Sequence, residues 1–125
     1  MNLEDYFTHA TGTGVLATAD ADGQVDAAIY AKPHFIDGQL AFIMNDRLSH
    51  HNLQSNPRAV YLFKEKDGYR GKRLFLKQVK EEQDTERLQA IRRRSYSPDR
   101  DGEPAPKFLV FFEVTRELPL IGSGE

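Results

Sequence analysis

The stretch Ala41-Phe42-Ile43-Met44-Asn45-Asp46-Arg47-Leu48-Ser49-His50-His51-Asn52-Leu53-Gln54-Ser55-Asn56-Pro57 decides how the rest of the chain reads. An apolar strand runs into a short polar turn, and the turn opens a helix that Asn56-Pro57 closes. Hydroxyl, guanidinium and imidazole groups crowd the first turn of that helix. Unpaired backbone N–H groups and the positive end of the helix dipole gather at the same place, so the segment suits an anion such as phosphate.

Upstream, residues 15–19 and 25–31 flank Asp20-Ala21-Asp22-Gly23, and residues 32–36 and 39–44 flank Asp37-Gly38. An Asp-Gly between two β-type runs signals a hairpin. Residues 3–9, with Leu3, Tyr6 and Phe7 on one side, read as a short amphipathic helix that Gly12-Thr13-Gly14 ends. Downstream, residues 58–64 and 72–79 read as strands around a loop holding Asp67-Gly68. Residues 81–94 read as the longest helix. Glu81, Glu82 and Asp84 in its first turn and Arg92-Arg93-Arg94 in its last complement the macrodipole, and Leu88 and Ile91 form its buried stripe. Residues 97–107, with Pro98, Gly102, Pro104 and Pro106, read as a loop before the near-continuously apolar strand 108–114.

Antiparallel strands with short hairpins and two or three helices predict a mostly β, α+β fold: a small closed or partly closed barrel, one domain over residues 1–125. Antiparallel strands commonly have one dry and one wet face. Here Ala59, Tyr61 and Phe63 oppose Val60 and Leu62, while Phe108, Val110 and Phe112 oppose Leu109 and Phe111, so both faces are apolar. A homodimer on the sheet, with a two-fold axis, is the simplest cover for the second face.

Composition excludes several chemistries. With 17 Lys+Arg against 19 Asp+Glu, the net charge of -2 offers no global attraction to nucleic acid or anionic membrane. The chain has no cysteine, hence no disulfide, zinc-thiolate site or thiol nucleophile. No apolar run approaches the roughly 20 residues of a membrane-spanning helix. The polar start Met1-Asn2-Leu3-Glu4-Asp5 does not read as a signal peptide, so the cytoplasm is the expected location. No P-loop, dinucleotide fingerprint or Ser-His-Asp order is visible.

Ala17-Thr18-Ala19-Asp20, Asp22-Gly23-Gln24, the segment ending Asn52-Leu53-Gln54-Ser55-Asn56-Pro57 and the strand Ala59-Val60-Tyr61-Leu62-Phe63 together resemble the flavin-binding proteins related to pyridoxamine 5'-phosphate oxidase. The match covers about residues 13–64. The resemblance implies a six-stranded antiparallel split β-barrel of Greek-key type that dimerises and holds FMN in a groove shared by both subunits. It places the flavin ring along Ile29, Tyr30 and Ala31, facing Ile43 and Met44, and the phosphate at Arg47 and Ser49, where the neighbouring His50 imidazole is a further expected donor. Lys72 and Arg73 are the expected contacts from the strand beyond residue 64. The chain departs from the pattern twice: Ser49 stands where FMN-binding relatives commonly carry lysine, and Ala28 where the oxidases carry arginine. The oxidase's long C-terminal, substrate-contacting portion has no counterpart here, so pyridoxamine phosphate oxidation is not expected.

Each motif also has a plainer reading. Ser49 could be an N-cap and Arg47 a solvated charge. Tyr30, Lys32 and His34 alternate on one strand face, which is either the mouth of a cofactor groove, with Lys32 beside the flavin, or a solvated surface. Tyr69, Arg70, Lys72 and Arg73 form a basic-aromatic patch, and Arg92-Arg93-Arg94 complement a helix end. His50 and His51 diverge by about 100° on a helix and cannot chelate one metal. The expectation is thus an FMN-dependent oxidoreductase with an undefined small-molecule substrate and electron donor, binding no metal. A heme- or deazaflavin-binding barrel is the alternative, with His34, His50 or His51 as axial ligand to heme. A cofactor-free binding or regulatory module of the same fold is the third reading.

Overall fold

Alternating burial along the strands sets the architecture. The computed structural model describes residues 2–95 and 107–122 (93–95 by backbone only). The elements are α1 (Leu3–His9), β1 (Gly12–Ala19), β2 (Val25–Ile29), β3 (His34–Ile36) and β4 (Gln39–Asn45), then α2 (Leu48–Ser55), β5 (Arg58–Glu65), β6 (Gly71–Gln83), α3 (Glu86–Ser95) and β7 (Lys107–Pro119). All pairings are antiparallel, in the order β2-β1-β5-β6-β7-β4-β3. Strands β5, β6 and β7 meander and β4 lies beside β7, a Greek-key arrangement.

The expected six strands are seven, and the edges β2 and β3 are not hydrogen-bonded to each other, so the sheet is unclosed. The extra strand arises because residues 30–33, Pro33 among them, are not strand, so β2 and β3 are separate strands at opposite edges of the sheet. The sheet nevertheless curls. Phe42 on β4 and Tyr61 on β5 are separated by β6 and β7 in the sheet, yet their ring centroids are 4.9 Å apart. The Tyr61 hydroxyl reaches the carbonyls of Tyr30 and Ala31 at 3.1 and 3.0 Å. A Cβ on Gly14 would lie 1.9 Å from that hydroxyl, so glycine stands inside β1 for close approach and does not break the chain as expected.

Inward residues of β1, β4, β5, β6 and β7 form one core, plugged by Phe7 of α1 and Leu53 of α2. Helix α2 is tied down by a buried bond from Asn52 Nδ2 to Thr18 Oγ1 at 3.1 Å. The expected helix over 81–94 is also corrected. Strand β6 runs on to Gln83, Asp84 (φ 50°) turns the chain, and α3 begins at Glu86, where Thr85 Oγ1 accepts the Leu88 N–H at 3.4 Å. The acidic residues that mimic a helix start belong to a strand, where Glu81 pairs with Val110 and Glu82 with Leu109 just beyond a β-bulge. Before it, Gln78 pairs with Phe112; after it, Lys80 pairs with Phe111, leaving Val79 unpaired. The expected loop over 97–107 lies outside the described residues apart from Lys107, which starts β7.

Helix α3 packs Leu88 and Ile91 on Ala41, Leu109 and Phe111, covering the outer face of β4 and β7. No described helix covers the outer face of the other strands. There Ile29, Val15 and Leu62 stand in register, as do Ala17, Val60 and Phe75, with Ile29 72% and Val25 82% exposed. No described helix is long and apolar enough to cross a membrane.

Candidate functional site

A cleft of about 500 Å³ opens between the chain leaving β2, strand β4, the turn into α2 and the flanks of α3 and β7. Four cationic side chains line it, Lys32, Arg47, Arg92 and Lys107, against one carboxylate, Asp26. A positive site in a chain of net charge -2 is a local arrangement rather than a bulk property.

The start of α2 forms one wall. Arg47 is the N-cap and makes no side-chain capping bond, and the first helical bond runs from the His51 N–H to the Arg47 carbonyl at 2.9 Å. The N–H groups of Leu48, Ser49 and His50 therefore precede the helical ladder. Ser49 is the second helical residue rather than the N-cap of the plainer reading; it is buried yet lines the cleft. Its side chain shares a hydrogen bond with Tyr30. Burial pushes the Tyr30 phenol above its ordinary range, opposed by the Ser49 bond and the Arg47 charge. A neutral phenol, a serine hydroxyl, a guanidinium and open N–H groups make a donor set that fits a phosphate.

Of the expected site residues, Ile29, Tyr30, Ala31, Lys32, Ile43, Arg47 and Ser49 meet at the cleft, together with His34. Lys32 is also committed structurally: its Nζ donates to the Phe7 and Ala10 carbonyls at 2.7 and 2.8 Å, closing the C-terminal end of α1. Met44 is fully buried in the barrel core. His50 lies behind the turn, its ring stacked on Phe108 at 3.8 Å between centroids, with Nδ1 3.3 Å from Asp46 Oδ1 and Nε2 3.1 Å from Glu81 Oε2. Asp46, which would repel a phosphate if turned toward it, thus has a partner away from the cleft. Lys72 pairs with Glu117 at 2.6 Å and sits over the Tyr6 ring, while Arg73 Nε donates to the Pro119 carbonyl at 2.9 Å. Neither of them lines the cleft.

Local sequence reasoning missed Asp26, Asn45 and Lys107 and read Arg92 only as a helix-end charge. Lys107 Nζ donates to Asn45 Oδ1 across the Asn45–Lys107 pair of β4 and β7, a register no local pattern reveals. Among the described residues no three His, Asp or Glu side chains gather as metal ligands would.

Solved structures share this architecture. An FMN-binding protein from Syntrophomonas wolfei subsp. wolfei superposes with a TM-score of 0.71 at 19% identity, over 93% of this chain and 82% of the other. An F420 reductase gives 0.70 at 15% identity, over 90% and 94%. A pyridoxamine 5'-phosphate oxidase-related, FMN-binding protein from Nostoc punctiforme gives 0.59 at 16%, over 86% and 72%. No protein-family model and no curated protein sequence matches the chain. The fold is that of the FMN-binding and pyridoxamine 5'-phosphate oxidase-related split-barrel proteins. At these identities the likeness establishes the fold alone.

Proposed function

We propose that this protein is a cytoplasmic, FMN-binding homodimer acting as a small flavin-dependent oxidoreductase. The observation that carries the reading is the convergence, on one cationic cleft, of the open N-terminus of α2 with the chain segment leaving β2. Arg47, Ser49 and the first N–H groups of α2 would hold the phosphate, and Ile29, Tyr30, Ala31 and Ile43 would lie along the ring. The flavin, when bound, supplies hydride or electron transfer, and the protein supplies binding, orientation and charge. Ser49 replaces the common lysine, but Arg92 and Lys107 add positive charge to the same cleft. The exposed outer face of β1, β2, β5 and β6 would be the dimer interface, bringing a second copy of Lys72 and Arg73 into play.

The test is FMN retention: protein mixed with FMN and passed through gel filtration is expected to keep the flavin bands near ~370 and ~450 nm at about one per subunit, free of added metal. A deazaflavin is the second reading, favoured by the F420 reductase neighbour, and the same experiment run with a deazaflavin separates the two. Heme would need an axial histidine other than His50, both of whose ring nitrogens are engaged. A Soret band on adding hemin is its signature. Protein that retains none of these is the cofactor-free module.

A further inference from the structure

Behind the cleft lies a buried imidazole that the proposed ligand contacts leave unused. His50 is the third residue of α2 and only 5% exposed. Its backbone N–H is one of the open donors at the helix start, so anything that fixes its ring also fixes the direction of that donor. The ring is held from three elements: by Asp46 in the preceding turn, by Glu81 on β6 and by the Phe108 ring on β7. Glu81 grips the helix a second time, accepting from Gln54 Nε2 at 3.1 Å, one turn after His50, and also accepts from Gln78 Nε2 at 3.2 Å. Burial opposes ionisation of Glu81, yet the bonds from Gln54, His50 and Gln78 outweigh it and hold the carboxyl below its usual range.

This contact exists because of the bulge. Leu74 and Leu76 face inward on β6, so unbroken alternation would turn Lys80 and Glu82 inward and Glu81 out. Leaving Val79 unpaired reverses the alternation and aims Glu81 at α2. Asp46 is the carboxylate nearest in sequence to the helix start, and the bond to His50 Nδ1 holds it.

We propose that His50 and Glu81 are positioning residues that clamp the first turn of α2, and that the clamp sets the preference for a phosphorylated flavin over its unphosphorylated form. This rests on the phosphate lying at Arg47 and Ser49. The clamp aligns the three leading N–H groups and keeps the Asp46 charge turned away; neither action touches the flavin ring. The experiment compares FMN and riboflavin dissociation constants, by flavin fluorescence quenching, in the unaltered protein, Glu81→Ala and Glu81→Gln. The expected result is an FMN-over-riboflavin preference that falls about tenfold in Glu81→Ala, with riboflavin affinity kept, and by less in Glu81→Gln, which retains an acceptor for His50. Equal loss of both ligands would make the contact merely structural and overturn the clamp. If Glu81→Ala fails to fold, Glu81→Gln decides, and an unaltered preference there overturns the proposal. Equal binding of FMN and riboflavin by the unaltered protein removes the phosphate seat and the clamp with it. A preference kept in both variants removes the clamp alone.

Discussion

Arg47 carries most of the weight at the scale of single residues. It ends the turn after β4, caps no N–H with its side chain, and lines the cleft beside Ser49. A guanidinium bonded to a phosphate contributes more than a neutral donor, so Arg47→Ala is expected to weaken FMN binding by about 1.5–3 kcal/mol. Fluorescence quenching checks this, and unchanged affinity would take Arg47 out of the site. Seven of the eleven expected site residues meet at the cleft because they lie on two short segments, 29–32 and 43–49, whose local chemistry is visible in sequence. His50 illustrates the limit. Its position in the first turn is legible, but the direction of its ring is decided by Glu81, 31 positions away, and by Phe108.

Elements were legible where one period dominates. Both hairpins follow from Asp-Gly turns, with Gly23 and Gly38 at φ 82°. Helix α3 was legible in its stripe but not its start, since Glu81 and Glu82 resemble the acidic first turn of a helix. Only pairing with Val110 and Leu109 assigns them to β6. The stripe itself does what spacing predicts: Leu88 is fully buried against Ala41, Leu109 and Phe111. Leu88→Ala is expected to cost about 2–5 kcal/mol, measured by chemical denaturation. A loss under about 0.5 kcal/mol, the range of ordinary surface substitutions, would mean that α3 is not docked as described.

For the whole molecule, the open question is what covers the outer face of β1, β2, β5 and β6. The sequence shows both faces of β5 and β7 to be apolar, but α3 covers only the β7 side. Ile29, Val15 and Leu62 remain aligned on the other. A homodimer seated there predicts a species twice 14.3 kDa in sedimentation at micromolar concentration, and Leu62→Lys, which sets a charge on that face, is expected to shift it toward the monomer. A 14.3 kDa species from the unaltered protein would sink the dimer. The sequence by itself determined the elements built on short-range rules: hairpin turns, alternating strands, the polar start of α2 and the absence of cysteine chemistry. Each rests on residues a few positions apart, where backbone preference and side-chain periodicity act directly. Tertiary structure alone decided strand order, the bulge at Val79, the addition of Arg92 and Lys107 to the cleft, and the Glu81 contact with His50. Those depend on which distant strands share a register. Register is set by the summed burial of the whole curled sheet, which no local stretch of the chain encodes.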